Sequence, residues 1–175
     1  MKFNYQAFSA IYLHEMDRFK RTLMQSLFSP VLSTSLYFMV FGSVIGGYVE
    51  NIDGISYGSY IVPGLLMLTL LTQSISNTSF GIFFPKFNGT IYEILAAPIS
   101  TFEIVLAFVG AGATKTLIVG VVIFITSTFF VEVNVMYPLL MIFLLVLVAF
   151  TFALFGFLIG LMSSNFEQMS IIPTL

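Results

Sequence analysis

Four apolar runs, each about as long as a helix must be to cross a bilayer, constrain this chain more than any motif does. They lie at about residues 31–49, 61–84, 104–131 and 138–162. A helix rising 1.5 Å per residue needs roughly 20 apolar residues to cross about 30 Å of hydrocarbon. The whole chain is 58% hydrophobic and 8% charged with mean hydropathy +1.04, against roughly a quarter charged in soluble domains. A soluble fold of this size cannot hide that much apolar surface. In lipid, backbone polar groups must be satisfied within the segment, so runs of this length are helices. The expected fold is an all-α polytopic bundle of four spans.

The breaks between runs are polar. Glu50-Asn51-Ile52-Asp53-Gly54 carries a turn glycine, and Glu132-Val133-Asn134 precedes Pro138, which is tolerated near a helix start. After Ser163-Ser164-Asn165 the chain turns apolar again, and about 169–175 reads as the start of a fifth span, as in a fragment, or a truncated gene product, from which one or two further spans are missing. Lys2, Arg18, Lys20, Arg21 and Lys86 fall on segments that alternate to one side, whereas the loops near residues 52 and 134 carry no Lys or Arg. This charge bias predicts a cytoplasmic N-terminus, a cytoplasmic 86–100 element and outward-facing loops near Asp53 and Glu132.

Two segments stand apart from the spans, and the reading divides the chain into a segment 1–28 and a membrane domain 29–175. Over residues 3–28, Tyr5, Phe8, Tyr12, Met16, Phe19, Leu23 and Leu27 recur every three or four positions, with Arg18, Lys20, Arg21 and Gln25 largely off that stripe. An amphipathic helix lying in the cytoplasmic interface plane is expected. The second segment, Lys86 to Ser100, is amphipathic, lies between two spans and is flanked by Pro85 and Pro98. It is shaped as a docking element held at the membrane face.

Helices in lipid associate through small residues four apart. Gly42 and Gly46 in the first run have that spacing, as do Gly156 and Gly160 in the fourth, while Gly112, Thr116 and Gly120 extend it in the third. Thr69, Gln73 and Ser76 put a polar stripe on the second run, which faces either a pathway or a neighbouring helix. Lys115 is the one ionisable side chain deep inside a run. Burying it near the bilayer centre costs about 2.5–3.5 kcal/mol, so it either lines a wet cavity or pairs with a carboxylate, or it snorkels to an interface.

Chemistry on the chain itself finds little support. Gly110-Ala111-Gly112-Ala113-Thr114-Lys115-Thr116 fails as a phosphate-binding loop, because Thr114 stands where glycine must precede the lysine and no strand leads into it. His14, the single histidine, has no nucleophile partner identifiable from sequence. The acids are scattered, with no metal-ligand spacing in any span. The few basic residues near the N-terminus do not form a nucleic-acid patch distinct from positive-inside anchoring. Cysteine is absent, so the redox compartment cannot be read.

Three features together resemble the membrane subunit of ABC-2 type transporters: the amphipathic segment 3–28; a Tyr-x-x-Pro-Gly start to the second span at Tyr60, Pro63 and Gly64; and a Gly-Thr-x-x-Glu-x-Leu-x-x-Pro-x-Ser element matched in full by Gly89, Thr90, Glu93, Leu95, Pro98 and Ser100. The resemblance implies that 86–100 couples to a separate ATPase subunit, with Lys86, Glu93, Ile94 and Leu95 meeting it and Pro98 fixing the exit angle. It implies that ATP and Mg belong to that partner and that this chain binds no cofactor. A homodimer of permease subunits in a bacterial-type inner membrane, exporting a drug, lipid or glycan amphiphile, completes the expectation. A non-transporting scaffold subunit is the alternative. Two departures stand out: the resemblance implies six spans where four and the start of a fifth are present, and Lys86 stands where arginine is usual, which keeps the charge and loses bidentate geometry.

Overall fold

The computed structural model describes residues 3–45, 51–52, 55–133 and 135–169. Six α-helices are formed among them: α1 (Tyr5–Arg21), α2 (Leu23–Tyr37), α3 (Tyr57–Asn88), α4 (Ile91–Ala96), α5 (Thr101–Ser127) and α6 (Pro138–Met162). A π-wound stretch, Phe38–Ile45, continues α2, and a two-residue antiparallel ladder pairs β1 (Asn51–Ile52) with β2 (Ile55–Ser56) ahead of α3. The architecture is all-α and polytopic. Four helices are long and apolar enough to span: Leu23–Phe41, Tyr57–Asn88, Thr101–Ser127 and Pro138–Met162.

Helix directions follow from the residues that meet. Gly112 faces Thr78 and Gly120 faces Leu70, so numbering falls along α3 as it rises along α5 and the two are antiparallel. Gly156 faces Ile75 and Gly160 faces Ser79, which makes α6 parallel to α3. Asn4 meets Glu103, Tyr12 meets Thr114, Glu15 meets Lys115 and Phe38 stacks on Phe130, so α1 and α2 run parallel to α5 along its length. The spans therefore alternate in direction, as four successive crossings must.

α3 is the hub, packed between α5 and α6. Its small residues let the partners approach: a Cβ built on Gly156 would stand 2.5 Å from the Ile75 carbonyl oxygen, one on Gly160 would overlap the Ser79 backbone, and one on Gly112 would overlap Thr78. Ser79 Oγ donates to the Gly156 carbonyl at 2.8 Å across the same seam. Two buried apolar clusters flank this hub. One joins Ile82, Ile104, Phe108, Ala149, Ala153 and Phe157, and the other joins Phe19, Leu66, Leu70, Val119 and Ile123. Most of α6 outside the seam is apolar and exposed, including Leu139, Phe143, Leu154, Phe155 and Leu158, as a lipid-facing helix requires.

The structure corrects the sequence reading at the N-terminal third. The segment 3–28 is two helices, broken at Thr22, whose hydroxyl turns back to the Arg18 and Phe19 carbonyls. The helix that carries the first run begins at Leu23, about eight residues before the expected 31; Gln25 and Ser26 line one cavity and Ser29 and Ser33 line a second, between α2 and α3. Nor is the stripe of α1 turned to lipid: Phe8, Tyr12, Met16 and Phe19 are wholly or partly buried along α5 and its neighbours. The helix that carries the second run extends over Tyr57–Asn88 and contains 61–84, the helix that carries the third covers Thr101–Ser127, and α6 coincides with 138–162. Gly42 lies in the π-wound stretch, while Gly46, Asp53, Asn134 and the expected start of a fifth span beyond Met169 lie outside the described residues.

Candidate functional site

The end of α3 and the start of α5 carry the short element that the sequence singles out. α3 stops because Gly89 adopts a left-handed conformation at φ 79°, which glycine takes without a Cβ penalty, with its N–H on the Lys86 carbonyl. One residue later α4 begins. Its alternation is clear: Ile91 and Ile94 turn inward with Ile99 onto the cluster around Ile104 and Phe108, whereas Tyr92, Glu93 and Leu95 point outward. Tyr92 is 74% exposed and Leu95 61%. Of the two apolar side chains expected to meet a partner, Leu95 is presented and Ile94 serves the core.

Pro98 holds Ala97 extended, ending α4. Ser100 then caps α5 in a reciprocal box, its Oγ accepting from the Glu103 N–H at 3.3 Å while the Ser100 N–H donates to Glu103 Oε2 at 2.8 Å. Glu103 has a second oxygen and uses it: Oε1 accepts from the Asn4 N–H at 2.5 Å. Asn4 also reaches the Pro98 carbonyl through Nδ2 at 3.3 Å and caps α1 by accepting from the Ala7 N–H at 3.2 Å. A single clasp of Asn4, Pro98, Ser100 and Glu103 thus joins the starts of α1 and α5 to the exit of α4.

Lys86 is engaged at the neighbouring end. Its Nζ donates to the carbonyls of Leu161 at 2.7 Å and Ser163 at 2.9 Å, placing a cation on the C-terminus of α6 where the helix dipole favours it. Phe83, Phe87 and Phe166 pack edge-on beside it. Lys86 and Thr90 are exposed, and Gly89 and Ser100 are half-buried.

Deeper in the bundle Lys115 finds its carboxylate on another helix. Glu15 Oε2 accepts from Lys115 Nζ and from Arg18 Nη2, each at 2.7 Å. The side chains of Glu15 and Lys115 are 2% and 4% exposed, and the Arg18 guanidinium stands over the Phe80 ring at 5.3 Å. The pairing reading of Lys115 holds, and the partner comes from α1. Beside this triad a cavity of about 510 Å³ is lined by Arg18, Gln25, Ser76, Asn77, Phe80 and Lys115 among others. A second furrow of about 210 Å³ between α2 and α3 takes Ser29, Ser33, Thr69, Thr72 and Gln73. Of the polar stripe, Thr69 and Gln73 therefore face α2 across this furrow, and Ser76 lines the first cavity. At the surface, Lys20 hydrogen-bonds Asp17 at 2.9 Å, and that bond with the added charge attraction holds the Asp17 carboxyl below its ordinary range. His14 is exposed on the same helix.

The sequence matches the family model of ABC-2 type transporters over residues 6–175. The chain belongs to that family. Among curated proteins it is 37% identical over 168 residues to the inner membrane transport permease YadH of Escherichia coli K12, and equally to YadH of Shigella flexneri, covering 96% of this chain. The chain spans 66% of the length of those relatives. No solved structure matches.

Three participants escaped the sequence reading. Glu15 stands three residues after Tyr12 and four before Phe19, an acid inside an apolar stripe, and that misplacement was the available signal for a partner to Lys115. Glu103 was legible as the last residue of a Ser-x-x-Glu capping box; its bond to Asn4, 99 residues away, was not. Tyr92 needed only the helical phase of α4, which sets it opposite Ile91 and Ile94.

Proposed function

We propose that this chain is the membrane-spanning permease subunit of an ATP-driven exporter of the inner membrane, with α4 as the element on which a separate ATPase subunit acts. The N-terminus and the α3–α5 turn face the cytoplasm on this reading, following the placement of Lys and Arg. The observation that carries it is the combination found at α4: an outward face of Tyr92, Glu93 and Leu95 on a six-residue helix whose exit is clasped to two long helices. An isolated surface loop would absorb a push. A helix fixed at Pro98, Ser100 and Glu103 passes the displacement to α5 and α1 together. ATP and Mg belong to the partner, and two permease subunits form the pathway. The transported molecule is an amphiphile, consistent with a bundle whose spans are apolar outside and hydroxyl-lined between α2 and α3.

Co-purification of the protein with its ATPase tests this directly. Glu93→Lys and Leu95→Asp should reduce ATPase association and stimulation with membrane insertion unchanged, and Pro98→Leu should reduce stimulation. Undiminished association and ATPase activity in all three would remove the docking assignment, and full association with no transport would leave the scaffold role.

A further inference from the structure

The cavity beside Glu15, Arg18 and Lys115 has a charge it does not balance. One carboxylate oxygen serves two cations, so the triad carries one net positive charge among groups of which two are almost fully buried. A buried charge is costly unless it is paired. Lys115 has three ammonium donors and a single protein acceptor for them among the described residues, Glu15 Oε2. It lines the cavity together with the Arg18 guanidinium, which is 26% exposed; the rest of the wall is largely apolar, from Phe19, Phe80 and Met169, with neutral hydrogen-bonding groups from Thr22, Gln25, Ser26, Ser76 and Asn77.

Depth decides what kind of anion reaches this place. On α3 the triad lies level with Thr78 to Gly81, since Glu15 Oε2 would stand 3.3 Å from a Cβ on Gly81. From Tyr57 to that level the helix rises about 30–36 Å, the thickness of the hydrocarbon layer. The cations therefore sit at the margin of the apolar slab on the α4 side. Headgroup phosphates occupy this plane, and basic pockets between spans hold them.

We propose that this cavity is a binding site for a phosphate-type anion, with Lys115 and Arg18 as its ligands and Glu15 as the carboxylate that offsets one of their two charges, and that the anion is either a lipid headgroup phosphate from the adjoining leaflet or free phosphate. Charge-assisted hydrogen bonds to a cation are the strong kind, and losing one weakens binding roughly tenfold or more. The site is separate from the outward face of α4, and binding here is independent of the coupling proposal.

The test is native mass spectrometry of the purified protein without ATPase, titrated with phosphatidylglycerol, with phosphatidylcholine as the zwitterionic reference and inorganic phosphate as competitor. Phosphatidylglycerol is expected to bind at least about tenfold more tightly than phosphatidylcholine. Arg18→Gln should abolish most of that preference, and Glu15→Gln, which removes the competing carboxylate, should increase it. Competition by inorganic phosphate at comparable concentration supports the site with free phosphate as its source; resistance to it supports the lipid source. Equal retention of both lipids with no phosphate binding overturns the proposal, as does a shift of Arg18→Gln and Glu15→Gln in the same direction. Should Glu15→Gln fail to fold, the half-exposed Arg18→Gln decides alone. Because no ATPase is present, loss of anion binding and loss of coupling are separate results.

Discussion

Replacing Gly156 by alanine tests whether the α3–α6 seam is set by backbone contact. The added Cβ would stand 2.5 Å from the Ile75 oxygen, 2.8 Å from its Cα and 3.0 Å from its carbonyl carbon. Those atoms are main chain inside a helix, so no rotamer relieves the overlap. Restoring ordinary contact near 3.4 Å requires the helices to part by roughly 0.6–0.9 Å, and a gap of that order forfeits a quarter to a half of the dispersion energy of each facing atom pair. Overpacking of this type costs about 1–3 kcal/mol. Stretching the Ser79–Gly156 hydrogen bond adds about 0.5–1.5 kcal/mol, and the better helix propensity of alanine returns about 1 kcal/mol. The net expectation is destabilisation by about 1–3 kcal/mol. Gly64→Ala is the control: nothing lies within 4 Å of its added Cβ, so the same substitution should be neutral or stabilising by up to about 1 kcal/mol. Reversible unfolding in mixed micelles, titrated with a denaturing detergent, measures both. Equal stability of Gly156→Ala and Gly64→Ala would refute the argument that the α3–α6 distance is limited by atoms at Gly156.

Glu103→Gln retains one acceptor oxygen where two backbone donors, Asn4 N–H and Ser100 N–H, now each have their own. Amide hydrogen exchange of the first turn of α1 should accelerate several-fold while that of α3 is unchanged; unaltered protection at residues 4–8 would dissolve the clasp. For orientation, a cysteine at Asn88 should be labelled by a membrane-impermeant reagent only from the cytoplasmic side and one at Ser56 only from the outside, and the inverse pattern would reverse every span.

The fold class was legible because it rests on run length and polarity, quantities that lipid imposes on any spanning chain. Pro138 opening the last helix was legible for a local reason, its ring, whereas Gly89 closing α3 was not read as a helix end although its missing Cβ is an equally local signal. What was hidden is long-range pairing. The Lys115 problem was visible in the sequence as a buried cation, yet nothing local connects it to Glu15, 100 residues earlier. Misplacing the start of α2 had the same origin: Gln25, Ser26 and Ser29 count against a span until the cavities that receive them are known.

The two polar ties of α1 also limit how the bundle can move. Asn4 is fixed to Glu103 at one end, and Glu15 to Lys115 about three turns further along, both partners on α5. Two attachment points that far apart prevent α1 from pivoting about either, so α1 and α5 behave as one body. On the other side, Lys86 on the α6 terminus and the Ser79–Gly156 bond bind α3 to α6 at two levels as well. Between these bodies α5 meets α3 at Gly112 against Thr78 and at Gly120 against Leu70, and it meets both α3 and α6 through the apolar side chains of the cluster of Ile82, Ile104, Phe108, Ala149, Ala153 and Phe157. If α4 is pushed as proposed, the displacement is taken up as shear between the α1–α5 pair and the α3–α6 pair across those contacts. The furrow between α2 and α3 lies on that boundary, so it is the space whose width such a shear would change.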